Sequence, residues 1–320
     1  MVLTIAAGVL AGLVGVNFAL PKVVYRGLIG LQRKLAGLKT RQVTIDGHEL
    51  VYLDGGRGDP LLLIHGFGAD CDAWPLLAMH LNQRFRIVAP DLPGFGDSSR
   101  RPEASYSLDD QLARLEAFAA ALGLDRFHLA GNSMGGYLAA HYAARHPEQV
   151  MSLWLLAPAG VSTAEESELQ QMLARGENPL LVESEADFRR LLSMCVAKSQ
   201  YVPGAVIKAL AARAISDKTF HSKLFDELFT SASPLEGVLE GLSVPTLIQW
   251  GDEDRLLHVS GAQVLHRLLP NSQLCLMNHT GHVPMREDPR GSARAFLDFQ
   301  LKDWPAAASR AATASPTSRN

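Results

Sequence analysis

The sequence predicts an α/β fold, a mostly parallel sheet covered by helices on both faces, with a helical block inserted late in the chain. Three observations predict it. Short apolar runs bounded by turn residues alternate with helical patterns, and such alternation needs crossovers above and below a parallel sheet. One interval, Gly160 to Leu242, carries helical signals only and, at about eighty residues, is too long for a crossover loop. Gly131-Asn132-Ser133-Met134-Gly135 stands where an apolar run passes into an alanine-rich helical stretch, the place for a tight strand-to-helix turn.

Val2 to Leu20 is nineteen residues without a charge, a helix of about 28 Å at ~1.5 Å per residue, close to the ~30 Å hydrocarbon core of a bilayer. With no small-residue cleavage site behind it, it reads as an uncleaved anchor in preference to a signal peptide or a core helix. Val24, Leu28, Leu31, Leu35 and Leu38 then recur at steps of four and three with Lys22, Arg26 and Arg33 opposite, a basic amphipathic helix suited to the headgroup plane. The competing reading is a helix packed on its own domain.

Gln42–Asp46 and Glu49–Asp54 read as a hairpin across Gly47-His48, and Leu61–His65, Arg86–Asp91, Phe127–Asn132, Ser152–Ala157, Thr246–Trp250 and Gln273–Met277 as buried strands. Helical patterns cover Ala73–Leu81, Ser107–Leu122, Ser133–His146, Ser260–Leu269 and Pro289–Lys302. The inserted block carries four more, Glu165–Arg175, Glu185–Ala197, Pro203–Ile215 and Phe220–Thr230. Pro305–Asn320 has no apolar residue larger than alanine and reads as a disordered tail. The expected organisation is an anchor with a juxtamembrane helix over 1–40, a core of 41–159 and 243–304, a helical cap over 160–242, and a tail over 305–320.

Composition narrows the function. In 320 residues, 47% hydrophobic against 20% charged excludes disorder throughout, and a net charge of −3 leaves no basic field for phosphate-driven binding, so nucleic acid is not an expected partner. Cys71, Cys195 and Cys275 are odd in number, far apart and without zinc-ligand spacing.

Three constellations carry chemistry. Gly131-Asn132-Ser133-Met134-Gly135 matches G-x-S-x-G at a strand end, so Ser133 is the candidate nucleophile on a strained turn. A hydroxyl needs a base, and His282 in Gly281-His282 just beyond the last strand supplies one, with His279 nearby. The orienting acid should follow the preceding strand, within Trp250-Gly251-Asp252-Glu253-Asp254. Asp254 is preferred to Asp252 because two more loop residues are needed to swing from the strand end towards the histidine. Finally, His65-Gly66-Phe67-Gly68 follows a strand, so the backbone N–H groups of Phe67 and Met134 are candidate oxyanion donors.

In these motifs and their order of serine, acid and histidine the chain resembles the α/β-hydrolase superfamily. With Asp91-Leu92-Pro93-Gly94-Phe95-Gly96-Asp97-Ser98-Ser99, Glu177-Asn178-Pro179-Leu180-Leu181, Val259-Ser260-Gly261-Ala262 and Gly281-His282-Val283-Pro284-Met285, it is similar to Moraxella-type bacterial lipases of lipase family V, to the membrane-anchored monoacylglycerol lipases of animals and to PlaF-type bacterial inner-membrane phospholipases A. The resemblance covers about residues 42 to 302. It implies an α/β-hydrolase fold, a Ser133, Asp254, His282 triad, no metal or organic cofactor, a membrane lipid substrate and, with it, membrane association and room for a homodimer. The expected function is a membrane-anchored serine ester hydrolase of glycerolipids. A carbon–carbon bond hydrolase of the same fold and a non-enzymatic binding protein are the alternatives. Leu180-Leu181-Val182 and Leu191-Leu192 suit acyl chains, unless they form the cap's own core. Basic residues after the anchor favour a cytoplasmic domain, whereas the resemblance favours the periplasmic side of an inner membrane, the side adopted here.

Overall fold

The structure, a computed structural model, describes residues 20–198, 202–229 and 233–304. Helix α1 (Pro21–Leu35) leads into the hairpin β1 (Leu38–Ile45) and β2 (His48–Gly56), followed by β3 (Asp59–Ile64), the short α2 (Pro75–Ala78) and β4 (Phe85–Pro90). Helix α3 (Leu108–Ala121), β5 (Phe127–Ser133), α4 (Met134–Arg145) and β6 (Val150–Pro158) continue the alternation. Between β6 and β7 (Thr246–Gly251) lie α5 (Glu168–Ala174), α6 (Glu185–Cys195), α7 (Gly204–Phe229) and α8 (Leu235–Leu239). Helix α9 (Ser260–Leu268), β8 (Ser272–Met277), α10 (Pro284–Glu287) and α11 (Pro289–Gln300) complete the order.

The eight strands form one sheet in the order β1-β2-β4-β3-β5-β6-β7-β8. β1, β2 and β4 pair antiparallel and the remaining pairs are parallel. Apolar side chains of the central strands alternate between two cores. Leu62, Ile64, Leu153 and Leu155 pack with α3, α4 and α9, while Leu61, Leu63, Trp154 and Leu156 pack with α2 and α11. Trp154 stacks on Phe296 of α11 at 4.5 Å between centroids. Such two-sided burial explains why these strands read as continuous apolar runs.

Several expectations change. The apolar stripe does not run through Leu38: α1 stops at Leu35, Gly37 turns at φ +67°, and Leu38 is the buried first residue of β1. Tyr25, Ile29 and Ala36 face inward, and α1 packs against α7 and α2, so the helix does dock on its own domain. Arg33 leaves the cationic face to pair with Asp72. Leu28, Leu31 and Leu35 nevertheless stay 39%, 53% and 63% exposed. The two helices expected over 203–215 and 220–230 are one, α7, because no glycine or proline interrupts 205–229 and Asp217 points out to meet Arg100. The helix expected at Ala73–Leu81 shrinks to α2, entered through a 3₁₀ turn at Cys71–Ala73. The expected anchor, Leu20 apart, and the expected tail lie outside the described residues. Among the described residues no helix is long and apolar enough to cross a membrane.

Candidate active site

Ser133 ends β5 and precedes α4 with φ +56° and ψ −120°, a conformation that costs a non-glycine residue about 1–3 kcal/mol. Its surroundings hold it there. A Cβ on Gly131 would stand 2.1 Å from the Gly135 carbonyl oxygen, and one on Gly135 would stand 2.1 Å from that of Ile64. The two glycines therefore let the turn close upon itself and upon β3. No side chain caps the N-terminus of α4, so its first N–H groups, Met134 included, keep their positive dipole end free beside the serine.

The loop bearing Phe67 lies against this turn: a Cβ on Gly66 would be 3.3 Å from the Ser133 Cβ. His65 locks the loop from below. Fully buried, its Nδ1 lies 2.7 Å from the Gly66 carbonyl oxygen and its Nε2 accepts the Leu92 N–H at 3.1 Å. Both contacts require the neutral ring with its proton on Nδ1, and burial depresses the pKa in the same sense.

His282 follows β8 and is itself buried. Its Nδ1 lies 2.8 Å from Oδ2 of Asp254. The same carboxylate accepts Trp250 Nε1–H at 3.0 Å and the N–H groups of Leu256 and Leu257 at 2.9 and 3.0 Å. Asp252 instead faces the Thr280 N–H at 3.4 Å, and His279 pairs with Glu253 at the surface. Among the described residues the imidazole therefore has one carboxylate partner, Asp254. The backbone of His282 is held as well. Asn132, next before the serine, donates its Nδ2–H to the His282 carbonyl at 3.0 Å and to that of Leu156 at 3.0 Å, while the His282 N–H donates to the Cys195 carbonyl at 2.9 Å.

Sequence reasoning missed Asn132, Trp250 and the Cys195 carbonyl as parts of this constellation. Asn132 occupies a free position of its motif, and nothing local marks a side chain that bonds a residue 150 positions away. Cys195 lies close to Asp254, yet burial pushes its thiol up to about 12, far from a thiolate nucleophile.

Apolar surface meets the site at Phe67. Its ring contacts Phe95 and His221 at 5.5 Å and Phe225 at 5.7 Å, the last two from α7. Leu180 and Leu191 pack with Leu169, Met172 and Met194 in a cluster that also takes in Leu256 and Cys195 beside Asp254 and His282, whereas Val182 and Leu192 pack with Phe188, Ile207 and Ala211 within the inserted helices. Among the described residues no group of three or more His, Cys, Asp or Glu side chains is arranged to hold a metal ion. A hydroxyl on a strained turn at an uncapped helix N-terminus and an imidazole backed by a buried carboxylate are parts that acyl transfer uses.

A family model described as alpha/beta hydrolase fold matches residues 59–289. Lipase 3 of Moraxella sp. (strain TA144) is 33% identical over 278 residues, 85% of this chain and 88% of its own length. Monoacylglycerol lipase ABHD6 of Bos taurus is 33% identical over 281 residues, 83% of each chain. Among solved structures, a membrane phospholipase A described as a novel bacterial virulence factor superposes with a TM-score of 0.86 at 44% identity, over 93% of this chain and 97% of that one.

Proposed function

The chain belongs to the α/β-hydrolase fold family and is a carboxylic ester hydrolase, and from that premise we propose that it cleaves acyl esters of glycerolipids at a membrane through an acyl-enzyme on Ser133. The observation that carries the reading is the 2.8 Å contact of His282 with the buried Asp254, beside an elbow that presents Ser133 at positive φ. His282 Nε2 takes the Ser133 proton as Oγ attacks the ester carbonyl, Asp254 stabilises the imidazolium, and the N–H groups of Phe67 and Met134 receive the oxyanion. Each such donor is worth about 3 kcal/mol in comparable sites. His282 returns the proton to the leaving alcohol, and water activated through the same ring then releases the fatty acid.

Two observations support a lipid substrate drawn from a bilayer. The relatives include lipases of both the bacterial and the monoacylglycerol type and a membrane phospholipase A. Among the described residues, five of the eight exposed large hydrophobic side chains fall on or next to α1, namely Leu20, Val23, Leu28, Leu31 and Leu35, directly after the apolar segment 2–20. On this reading the segment anchors the enzyme, and the free side of α1 rests in the headgroup region with Lys22 and Arg26 turned to anionic lipid.

The test is hydrolysis of p-nitrophenyl butyrate and of long-chain phospholipid or monoacylglycerol in vesicles by the full-length protein, beside a vinylogous diketone. Ester cleavage without diketone cleavage is the expected outcome. Diketone cleavage with inert esters would assign a carbon–carbon bond hydrolase instead.

A further inference from the structure

The loop that carries His282 is closed by a side chain five residues further on. Glu287, the last residue of α10, accepts the Gly281 N–H on Oε1 at 2.8 Å and the Ala197 N–H on Oε2 at 2.8 Å. Gly281 immediately precedes His282, and Ala197 lies just past α6 in the insertion between β6 and β7. The ring closes through the His282 N–H, which donates to the Cys195 carbonyl at 2.9 Å. The joint is tight: a Cβ on Gly281 would meet the Cys195 oxygen at 2.7 Å, the Ala197 nitrogen at 2.8 Å and Glu287 Oε1 at 3.0 Å. One carboxylate therefore fastens the backbone before the imidazole to a segment of the inserted helices. Its pKa is raised, first by burial and also by Asp254, against the pull of the N–H groups it accepts.

We propose that Glu287 is a positioning residue that makes the catalytic seating of His282 conditional on the docking of segment 195–197 of the insertion. This rests on His282 being the general base. Without Glu287 the Gly281 and Ala197 N–H groups lose their common acceptor, and the His282 backbone keeps Asn132 and the Cys195 carbonyl. The imidazole then samples positions off the line to Ser133 Oγ. Displacement by about 1 Å lowers turnover by about a hundredfold in comparable sites, because general-base catalysis depends on alignment that binding does not need. Both carboxylate oxygens of Glu287 are turned to backbone N–H groups, so the loss is expected to fall on kcat.

The experiment uses the full-length protein and p-nitrophenyl butyrate, with kcat, KM, the rate of Ser133 labelling by a fluorophosphonate, active-site titration and the urea midpoint measured for each variant. Glu287→Gln, which keeps one acceptor oxygen, is expected to lower kcat roughly tenfold and Glu287→Ala roughly a hundredfold, with KM within about twofold and labelling slowed in the same order. Ala197→Pro removes the donor from the insertion and sets a ring Cδ in its place against Glu287 Oε2, so the joint must part at that bond. Val196 already has φ −123° and ψ 141°, a conformation that accepts a following proline. It is expected to lower kcat about as much as Glu287→Gln.

Wild-type kcat per titrated site in the Glu287 variants, with His282→Ala inactive, overturns the inference alone. So does wild-type kcat in Ala197→Pro, since the insertion would then be dispensable to the seating. Losses confined to the titratable fraction and the urea midpoint would make Glu287 a stability residue and also overturn it. Retained activity in His282→Ala overturns the base assignment and the inference with it.

Discussion

Arg33 grips Asp72 at two points, Nε to Oδ1 at 2.7 Å and Nη2 to Oδ2 at 2.8 Å. The pair ties α1 to the 3₁₀ turn at Cys71–Ala73, with Asp72 four residues beyond Gly68. Asp72 is nearly buried, and Arg286 reaches its carbonyl oxygen from the His282 side at 2.8 Å. The helix that precedes the sheet is thereby fastened to the wall of the active site.

Removing Arg33 should leave a buried carboxylate without its counter-ion. Because the Arg33 side chain is 22% exposed, Arg33→Ala is expected to cost about 2–3 kcal/mol, below the ~3–5 of a fully buried pair, and to lower Tm by roughly 5–10 °C. Arg33→Ala with Asp72→Ala should cost less than Arg33→Ala alone. Calorimetry of the three proteins checks this, and a single variant as stable as the parent would mean that the pair contributes no stability.

Ser133→Ala removes the nucleophile and, because alanine keeps the Cβ, leaves the turn at its positive φ as strained as before and the core untouched. Esterase activity should fall by about four orders of magnitude or more at unchanged circular dichroism. Turnover close to that of the parent would exclude Ser133 from the chemistry.

Asp254 and Asp252 are two residues apart but differ in partner. Asp254→Asn places an amide against the imidazole Nδ1 and should lower kcat by about 10³–10⁴, as loss of the correct tautomer does in serine proteases. Asp252→Asn keeps an acceptor for Thr280 and should stay within a few-fold of the parent. Steady-state kinetics on a soluble ester rank the two, and the reverse order would transfer the acid role to Asp252.

Acid should destabilise the fold in a defined window. Burial lowers both His128 and His221 to about 4, against 6.5 for the free side chain. Between those values the unfolded chain binds the proton and the folded chain does not. The stability contributed by the neutral rings is therefore complete above pH 6.5, is lost as pH falls through the window, and changes no further below about 4, at roughly 3 kcal/mol per ring. His221 Nε2 has no hydrogen-bond partner among the described residues, so His221→Leu sacrifices no bond there. The difference between urea midpoints at pH 7 and 4.5 should shrink in that variant, His128 keeping its own share, and an unchanged difference would remove His221 from the acid response.

The front of the chain should separate by function at residue 20. Deleting residues 1–19 removes the apolar segment but keeps α1 and its Arg33 contact. The truncated protein should cleave butyrate esters at near the parent rate and vesicle phospholipid much more slowly, because an acyl chain leaves the bilayer at ~0.8 kcal/mol per CH₂. Deletion through residue 40 cuts into β1, whose Leu38 to Thr40 pair with Leu53 to Gly55, and should impair both activities. Equal vesicle rates for the parent and the shorter deletion would show that the segment has no part in substrate access.

The sequence alone determined whatever rests on local pattern. Apolar runs bounded by turns located the strands, since a strand buried on both faces must be apolar throughout. The glycines around Ser133 marked the elbow, since only glycine permits the approach of backbone to backbone seen at Gly131 and Gly135. The order serine, aspartate, histidine followed from three strand ends that the alternation already supplied. Tertiary structure alone decided what depends on residues distant in the chain. It brought Asp254, the aspartate that loop length already favoured over Asp252, to 2.8 Å from His282, and it seated α1 on its own domain through Arg33, which helical periodicity had assigned to a lipid-facing cationic side. It also placed Asn132, Cys195 and Glu287 around His282. The physical reason is the same in each case: periodicity reports which side of an element is apolar, whereas a hydrogen bond between residues 90 or 150 positions apart exists only after packing has brought its donor and acceptor together.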